Sequence, residues 1–140
     1  MPNRYIPRKT QIELEKLAKG CCEYCKLLQM YYAPTFTNEH IIPTTLGGSD
    51  ELDNLAKACF GCNLSKGKVI TATDPATNKP IPLFHPRKDN WYDHFEWSKD
   101  FLRIIGKTSV GRATIIRLKM NRPENINIRK VTLGHGHPPE

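Results

Sequence analysis

The stretch that decides the fold runs from residue 22 to residue 68 and contains two Cys-x-x-Cys pairs, CEYC at 22–25 and CFGC at 59–62. A two-residue gap lets both sulfurs of a pair reach one ion, and two pairs complete a tetrahedral shell of four thiolates. The spacing therefore predicts a zinc site formed by Cys22, Cys25, Cys59 and Cys62. Because four thiolates leave no open coordination position, we expect this zinc to be structural.

Two other interpretations of the cysteine pairs remain open, a redox pair and coincidence. A redox motif would not need to be duplicated, and it usually precedes a helix in an α/β pattern that this sequence lacks. The chain has five cysteines, so Cys21 is spare and could replace Cys22 in a wrongly metallated form. Disulfides are not expected, because the absence of a signal-like or membrane-spanning stretch predicts a cytoplasmic protein.

Polar motifs lie between and after the cysteine pairs: NEHIIP at 38–43, GGSDELDNL at 47–55, and CFGCNLSKGK at 59–68. In this order the motifs resemble the HNH endonuclease family over roughly residues 20–70. The resemblance implies an α+β chain with a ββα-metal core: a strand carrying His40, a loop carrying Asn54, a second strand, and a helix starting near Asn63. By propensity alone residues 50–57 could form a helix, but the resemblance places a loop there.

The chemistry of phosphodiester hydrolysis suits the residues of these motifs. A neutral imidazole is abundant at working pH and can take a proton from water, so His40 is the candidate general base. Glu39 and Asn63 offer oxygen ligands for a hard ion, which makes Mg²⁺ or Mn²⁺ the expected catalytic cofactor. At the third position of the motif, where a family member can have a metal-binding histidine, this chain has Asn63. The resemblance therefore implies a His-Asn-Asn variant of the family. Asn54 is expected to orient the His40 loop, although both asparagines also suit turn and helix-cap positions.

The chain is basic, with a formal net charge of +7, which favours nucleic acid as a partner. Residues expected to bind the DNA backbone are Lys57, Lys66, Lys68 and Arg87, with His85 as a further candidate near the scissile phosphate. The alternative is a merely solvated basic face. His94, Trp91 and Trp97 are better explained by packing than by DNA contact, although tryptophans can stack on unpaired bases.

The length of 140 residues predicts one compact domain, with residues 1–70 forming a helix and the nuclease core and residues 71–140 packed on it. We expect a helix over residues 10–20, capped by Thr10, and a second over residues 108–121, capped by Thr108 and stopped by Pro123. Residues 71–90 carry four prolines and predict an irregular connector.

Two further segments follow the connector. The aromatic cluster of residues 91–101 predicts short strands. Residues 134–139 predict a mobile tail whose His135 and His137 have no assigned function.

These features together predict a metal-dependent DNA endonuclease. Two alternatives remain: a catalytically silent zinc ribbon that binds nucleic acid or protein, and an enzyme acting on RNA, single-stranded DNA or branched DNA. No membrane partner is expected, and the sequence does not decide the oligomeric state, the preferred DNA sequence or whether one strand or both are cut.

Overall fold

The computed structural model describes residues 6–139. The α-helices within this range are α1 (Arg8–Ala18), α2 (Phe60–Lys66), α3 (Trp91–His94), α4 (Ser109–Leu118) and α5 (Pro123–Thr132), and short 3-10 helices lie at Gln29–Tyr31, Thr44–Leu46 and Leu52–Asn54. The strands are β1 (Thr37–His40), β2 (Leu55–Ala58), β3 (Thr71–Thr73), β4 (Pro80–Pro82), β5 (Phe95–Trp97) and β6 (Ile104–Gly106). This mixture of helices and strands is the expected α+β arrangement. No helix in the described range is long and apolar enough to cross a membrane.

The strands pair as three separate antiparallel ribbons, β1–β2, β3–β4 and β5–β6. In the first ribbon His40 lies opposite Leu55 and Glu39 lies opposite Ala56. Side chains alternate along a strand, so Glu39 and His40 leave opposite faces of the ribbon. The helix α2 follows β2 directly, which places the second cysteine pair at the junction between strand and helix.

The first cysteine pair is attached to the edge of β2. The backbone N–H of Glu23 donates to the carbonyl of Lys57 at 2.9 Å, and the Glu23 carboxylate accepts from the Lys57 N–H at 2.7 Å. These two bonds hold the loop of residues 22–25 beside the strand that leads into Cys59. The chain thus brings two distant cysteine pairs together through backbone pairing.

One hydrophobic core draws on both halves of the chain and includes the four paired cysteines, Tyr24, Phe84, Trp91, Phe95 and Leu118. The rings of Phe84 and Phe95 pack edge to face with centroids 5.2 Å apart. The Trp91 indole is 5% exposed and donates to the carbonyl of Tyr24 at 2.8 Å. His94 packs beside Phe84 and bonds Thr108 Oγ1 at 2.7 Å. The expected packing roles of Trp91 and His94 are therefore observed.

The N-terminal helix is present but begins differently from the prediction. It starts at Arg8 after Pro7, with no side-chain cap, so Thr10 lies inside the helix and does not cap it. Proline fixes its own φ angle, and its missing backbone N–H has no partner to lose at the start of a helix. The helix ends at Ala18 and is followed by Lys19, which adopts a left-handed conformation. Thr108 caps α4 as predicted, accepting from the N–H of Gly111 at 3.1 Å.

The proline-rich segment of residues 71–90 is not irregular throughout, because β3 and β4 form a hairpin within it. The prolines sit at both ends of β4, where a missing N–H is tolerated on an edge strand. The aromatic segment is divided: Trp91 lies in the short α3, whereas Phe95 and Trp97 lie on β5 as expected.

The C-terminal end is more ordered than predicted. Pro123 starts α5 as its first residue and does not simply stop α4, as suits a residue whose φ is already helical. The expected mobile tail is packed: His137 is 4% exposed, bonds the carbonyl of Phe101 at 2.6 Å and meets the Trp97 ring edge to face. These contacts are long-range, so local composition did not reveal them.

Asp74 joins the β3–β4 turn to α4. Its side chain is fully buried, and Arg112 donates to both carboxylate oxygens at 3.0 and 2.9 Å. The N–H of Ala76 and the hydroxyl of Thr77 add further bonds to the same carboxylate. The bonds from Arg112 are the main cause that holds the pKa of Asp74 at about 2.

This pair predicts an acid-sensitive contribution to stability. Because the folded pKa of Asp74 is below its ordinary value of 3.8, the pair stabilises the fold above about pH 4, and the contribution is lost as pH falls through about 2. We expect Asp74→Asn to lower Tm at pH 6, with the gap to wild type narrowing between about pH 4 and pH 2. Thermal melts at a series of pH values measure this gap, and a constant gap contradicts the prediction.

Candidate metal centre and active site

The four paired cysteines form one buried cluster. All four side chains are 0% exposed, and their sulfur atoms lie within 4.8 Å of one another. The Sγ atoms of Cys25 and Cys59 are 3.7 Å apart. A tetrahedral zinc with bonds of about 2.3 Å has sulfurs about 3.8 Å apart, so the geometry and the donor set both fit a tetrathiolate zinc site.

Backbone donors support the cysteine sulfurs. The N–H of Cys25 donates to Cys22 Sγ at 3.5 Å, and the N–H of Cys62 donates to Cys59 Sγ at 3.4 Å. Hydrogen bonds from Cys22, Cys25 and Cys62 lower the pKa of Cys59, whereas burial raises the pKa of Cys22. Four thiolates this close together require a cation to balance their charge.

Cys21 is outside the cluster. It is 4% exposed, and its thiol donates to the carbonyl of Lys19 at 3.6 Å. Its position agrees with the expectation that it is the spare cysteine, and it provides a matched control for the metal-binding positions.

His40 lies at the end of β1 with its side chain 20% exposed. Its Nε2 is 2.7 Å from Asp50 Oδ1. The carboxylate oxygen can only accept, so Nε2–H donates this hydrogen bond and the neutral ring carries its lone pair on Nδ1. Sequence reasoning missed Asp50. The signal available was an acidic side chain directly after a Gly-Gly-Ser turn, ten residues from the candidate base.

Asn54 fixes the backbone that follows His40. Its side-chain oxygen accepts from the N–H of Ile42 at 2.8 Å, and its amide donates to the carbonyls of Ile42 and Ser49 at 3.0 and 2.8 Å. The backbone carbonyl of Asn54 also accepts from the N–H of Ile41 at 2.8 Å. A Cβ at Gly48 would collide with the Ile42 carbonyl and lie 2.8 Å from the Asn54 amide. The second glycine of the Gly-Gly motif therefore leaves the space in which the Asn54 side chain binds the backbone.

Glu39 and Lys66 form a buried ion pair on the other face of β1. Their side chains are 5% and 1% exposed, with Lys66 Nζ 2.6 Å from Glu39 Oε1. The second Glu39 oxygen accepts from the Tyr24 hydroxyl at 2.7 Å, and Lys66 Nζ also donates to the carbonyl of Ile41. Burial raises the pKa of Glu39, and Lys66 opposes that shift. Lys66 is therefore buried and paired in this structure, which does not favour the predicted contact with a DNA phosphate.

The Glu39–Lys66 pair predicts non-additive effects on stability. Removing one member of a buried pair leaves an uncompensated charge, at a cost of about 3–5 kcal/mol. We expect Lys66→Met to lower the free energy of unfolding by that amount. The double variant Lys66→Met/Glu39→Gln, which keeps an acceptor for Tyr24, should be less destabilised than the sum of the single variants. Urea denaturation of all three proteins measures this coupling, and additivity within about 0.5 kcal/mol contradicts it.

Asn63 lies within α2, in its second turn, and does not start the helix. The cap is Cys59, whose sulfur accepts from the N–H of Cys62. The alternative role of Asn63 as a helix cap is therefore taken by Cys59, a residue of the cysteine cluster. The side chain of Asn63 is partly exposed, so it stays a candidate ligand.

The other predicted DNA contacts differ in exposure. Lys68 is exposed, whereas the Lys57 side chain is 12% exposed and lies 4.0 Å from Glu15. Arg87 is 11% exposed and is ion-paired with Glu23, so it is not an open phosphate clamp in this structure. Sequence reasoning could not detect a partner 64 residues away along the chain.

His85 has a defined tautomer. Its Nδ1 accepts the backbone N–H groups of Arg87 and Lys88, both at 3.2 Å. The neutral ring therefore carries its proton on Nε2. Burial, followed by the charge of Lys88, lowers the pKa of His85 and favours the neutral ring. Because Nε2 already carries a proton, the neutral ring can donate a hydrogen bond from Nε2 but cannot accept a proton at that atom.

The fold and the site define a small α+β protein that has a four-cysteine cluster able to hold a metal ion and, separately, a histidine–carboxylate pair. Comparison with protein families identifies the segment: residues 22–76 match the family model described as HNH endonuclease. The resemblance to this family is therefore confirmed, over less than half of the 140-residue chain. Searches of curated proteins and of solved structures give no significant match. The family match indicates nuclease activity and a nucleic acid substrate.

Proposed function

We propose that the protein is a metal-dependent HNH endonuclease that hydrolyses phosphodiester bonds in DNA, with His40 as the general base. The observation that carries the proposal is the arrangement of His40 within the matched segment. Asp50 occupies Nε2, which leaves the Nδ1 lone pair for a water molecule. Asn54 holds the next two residues of the chain through both its backbone and its side chain.

In the proposed reaction Nδ1 of His40 takes a proton from water, and the water oxygen bonds to phosphorus. The bond from phosphorus to the 3′ oxygen breaks, and the leaving oxygen takes a proton from solvent, which gives a 5′ phosphate and a 3′ hydroxyl. Asp50 stabilises the imidazolium and fixes the ring orientation, a positioning role. Asn54 keeps the loop in register, so the ring keeps its place when the proton moves.

A divalent ion, Mg²⁺ or Mn²⁺, is proposed from the family match. The described residues contain no second group of three His, Cys, Asp or Glu ligands beyond the cysteine cluster. Both oxygens of Glu39 are bonded to Lys66 and Tyr24, so the side chains do not fit an open ion site as they stand. Ligation by Glu39 and Asn63 stays a prediction, and it requires that the ion displace Lys66 from Glu39.

Contact with the DNA backbone is proposed for the exposed Lys68. The neighbouring Arg117 is also exposed, and its guanidinium bonds the Lys66 carbonyl at 3.2 Å, which places a second cation at the end of α2. These two residues are better placed than Lys57 or Arg87, whose side chains are largely covered. Phosphate contacts of this kind hold the duplex without selecting a sequence.

The direct test is cleavage of supercoiled plasmid by the zinc-loaded protein with Mg²⁺, Mn²⁺, Zn²⁺ or EDTA. We expect relaxed or linear product with Mg²⁺ or Mn²⁺ and none with EDTA. RNA, single-stranded DNA and branched DNA are tested in parallel with the plasmid. Cleavage of only one of these three would revise the proposed substrate but support the proposed nuclease activity. Salt-sensitive binding without product under every cation and on every substrate overturns the proposal in favour of a silent binding module.

A further inference from the structure

An arginine from the C-terminal half lies directly against the cysteine cluster. The guanidinium of Arg122 is 3.9 Å from Cys59 Sγ through one terminal nitrogen and 3.5 Å from Cys62 Sγ through the other. The second nitrogen also donates to the carbonyl of Leu118 at 2.6 Å. Two sulfurs and the end of α4 thus hold the guanidinium in one orientation.

The second cysteine pair is shaped to admit this arginine. Gly61 lies between Cys59 and Cys62, and a Cβ there would come within 2.7 Å of the Arg122 guanidinium carbon. A side chain at position 61 would therefore require the guanidinium to move. The glycine and the arginine are 61 residues apart in the chain, yet they form one packed unit.

The same segment of chain is held to the first cysteine pair by a second arginine. Arg129 of α5 is 2% exposed and donates to the carbonyls of Cys25 and Met120 at 3.3 and 2.7 Å. The remaining terminal nitrogen donates to the Leu102 carbonyl and to the Asn121 side chain, both at 3.0 Å. Residues from α4 to α5 therefore cover both halves of the metal centre.

We propose that Arg122 is an outer part of the zinc centre that neutralises and shields the thiolates of Cys59 and Cys62. Four thiolates around Zn²⁺ leave a net charge of about −2 in a buried site, and a buried charge needs a counter-charge or hydrogen bonds. Arg122 supplies both, as a cation with two N–H groups directed at sulfur. The inference rests on zinc at the four cysteines and is independent of the nuclease chemistry.

The shielding has a chemical consequence. Loss of zinc begins when a thiolate is protonated or attacked by a competing ligand, and a hydrogen-bonded sulfur is a poorer target for both. Arg122 should therefore slow the transfer of zinc to chelators. It should also lower the energy of the sulfur lone pairs, which is measurable in the charge-transfer spectrum of the cobalt-substituted protein.

The test compares the full-length chain with Arg122→Met, Arg122→Lys, Gly61→Ala and the control Arg103→Met, which removes an exposed arginine. Zinc transfer to a chromogenic chelator is timed in folded samples of equal zinc content. We expect Arg122→Met to accelerate transfer about 10–100-fold, by analogy with the loss of metal affinity that follows removal of hydrogen-bond partners of metal ligands. Arg122→Lys and Gly61→Ala should have smaller effects in the same direction, and Arg103→Met none.

Cobalt spectra separate this role from simple destabilisation. Replacing Zn²⁺ with Co²⁺ gives a sulfur-to-metal band that should move to longer wavelength in Arg122→Met and less in Arg122→Lys, because the hydrogen bonds to sulfur are lost or reduced. If Arg122→Met does not fold, Arg122→Lys and Gly61→Ala are compared with Arg103→Met in its place. Transfer rates within twofold of Arg103→Met, with unmoved bands, overturn the proposal.

Discussion

Replacing His40 with alanine is expected to lower the rate of plasmid cleavage by about 10²–10⁴-fold, the contribution typical of a positioned general base. The imidazole is the group that can take the proton from water at Nδ1, because Asp50 occupies Nε2. Cleavage is measured under single-turnover conditions with the cation that gives wild-type activity, at matched zinc content. His40→Gln keeps the side chain polar but supplies no basic nitrogen, and it should be as slow as His40→Ala.

Two controls make the His40 result interpretable. His40→Ala should keep the wild-type Tm within a few degrees, since the side chain is on the partly exposed face of β1. Asp50→Asn should retain more activity than His40→Ala, because the ring can still take the proton but is held less firmly. Wild-type cleavage rates in a well-folded His40→Ala protein would remove His40 as the base while leaving the zinc centre unaffected.

The four-cysteine cluster was predictable because its signal is local. A Cys-x-x-Cys loop places two sulfurs on one ion whatever the rest of the chain does, and a second such loop needs only to meet the first. The structure brings all four sulfurs together. The role expected of Asn54 as a holder of the His40 loop was also accessible, because an asparagine side chain bonds backbone groups that lie close to it in a turn.

The partners of the charged residues were not predictable in the same way. Lys66 and Arg87 look in the sequence like exposed phosphate contacts, yet their partners Glu39 and Glu23 lie far away along the chain. Burial of both members of such a pair depends on how strands and helices pack, which no local pattern encodes. The arginine on the cysteine cluster, Arg122, was hidden for the same reason.

The helix errors have a separate cause. The sequence pattern predicts that Pro123 stops α4, but proline is also favoured in the first turn of a helix, and here it begins α5. Residues 134–139 contain glycine and proline, yet the Tyr31 hydroxyl bonds the His135 carbonyl and His137 is enclosed. Composition describes the freedom of a segment before it packs, and tertiary contacts can remove that freedom.

Removing zinc is expected to abolish the cooperative unfolding transition of the protein. The apparent binding free energy of a structural zinc site is about 10–16 kcal/mol in small zinc modules, as large as the whole stability of a typical domain, about 5–15 kcal/mol. The four cysteines lie in the main hydrophobic core, so the metal and the core should be lost together. Circular dichroism melts before and after chelation, with zinc measured by elemental analysis, test this, and added zinc should restore the transition.

Neighbouring cysteines provide the matched comparison for that result. Cys22→Ser removes a sulfur of the cluster, whereas Cys21→Ser changes a thiol that bonds the Lys19 carbonyl, a bond that a serine hydroxyl can also make. We expect the Cys22 variant to lose zinc and solubility and the Cys21 variant to keep both. Because burial is similar at the two positions, it cannot explain such a difference. Equal melting curves for the chelated and zinc-loaded wild type, or equal losses in the two variants, would show that core packing sustains the fold without the metal.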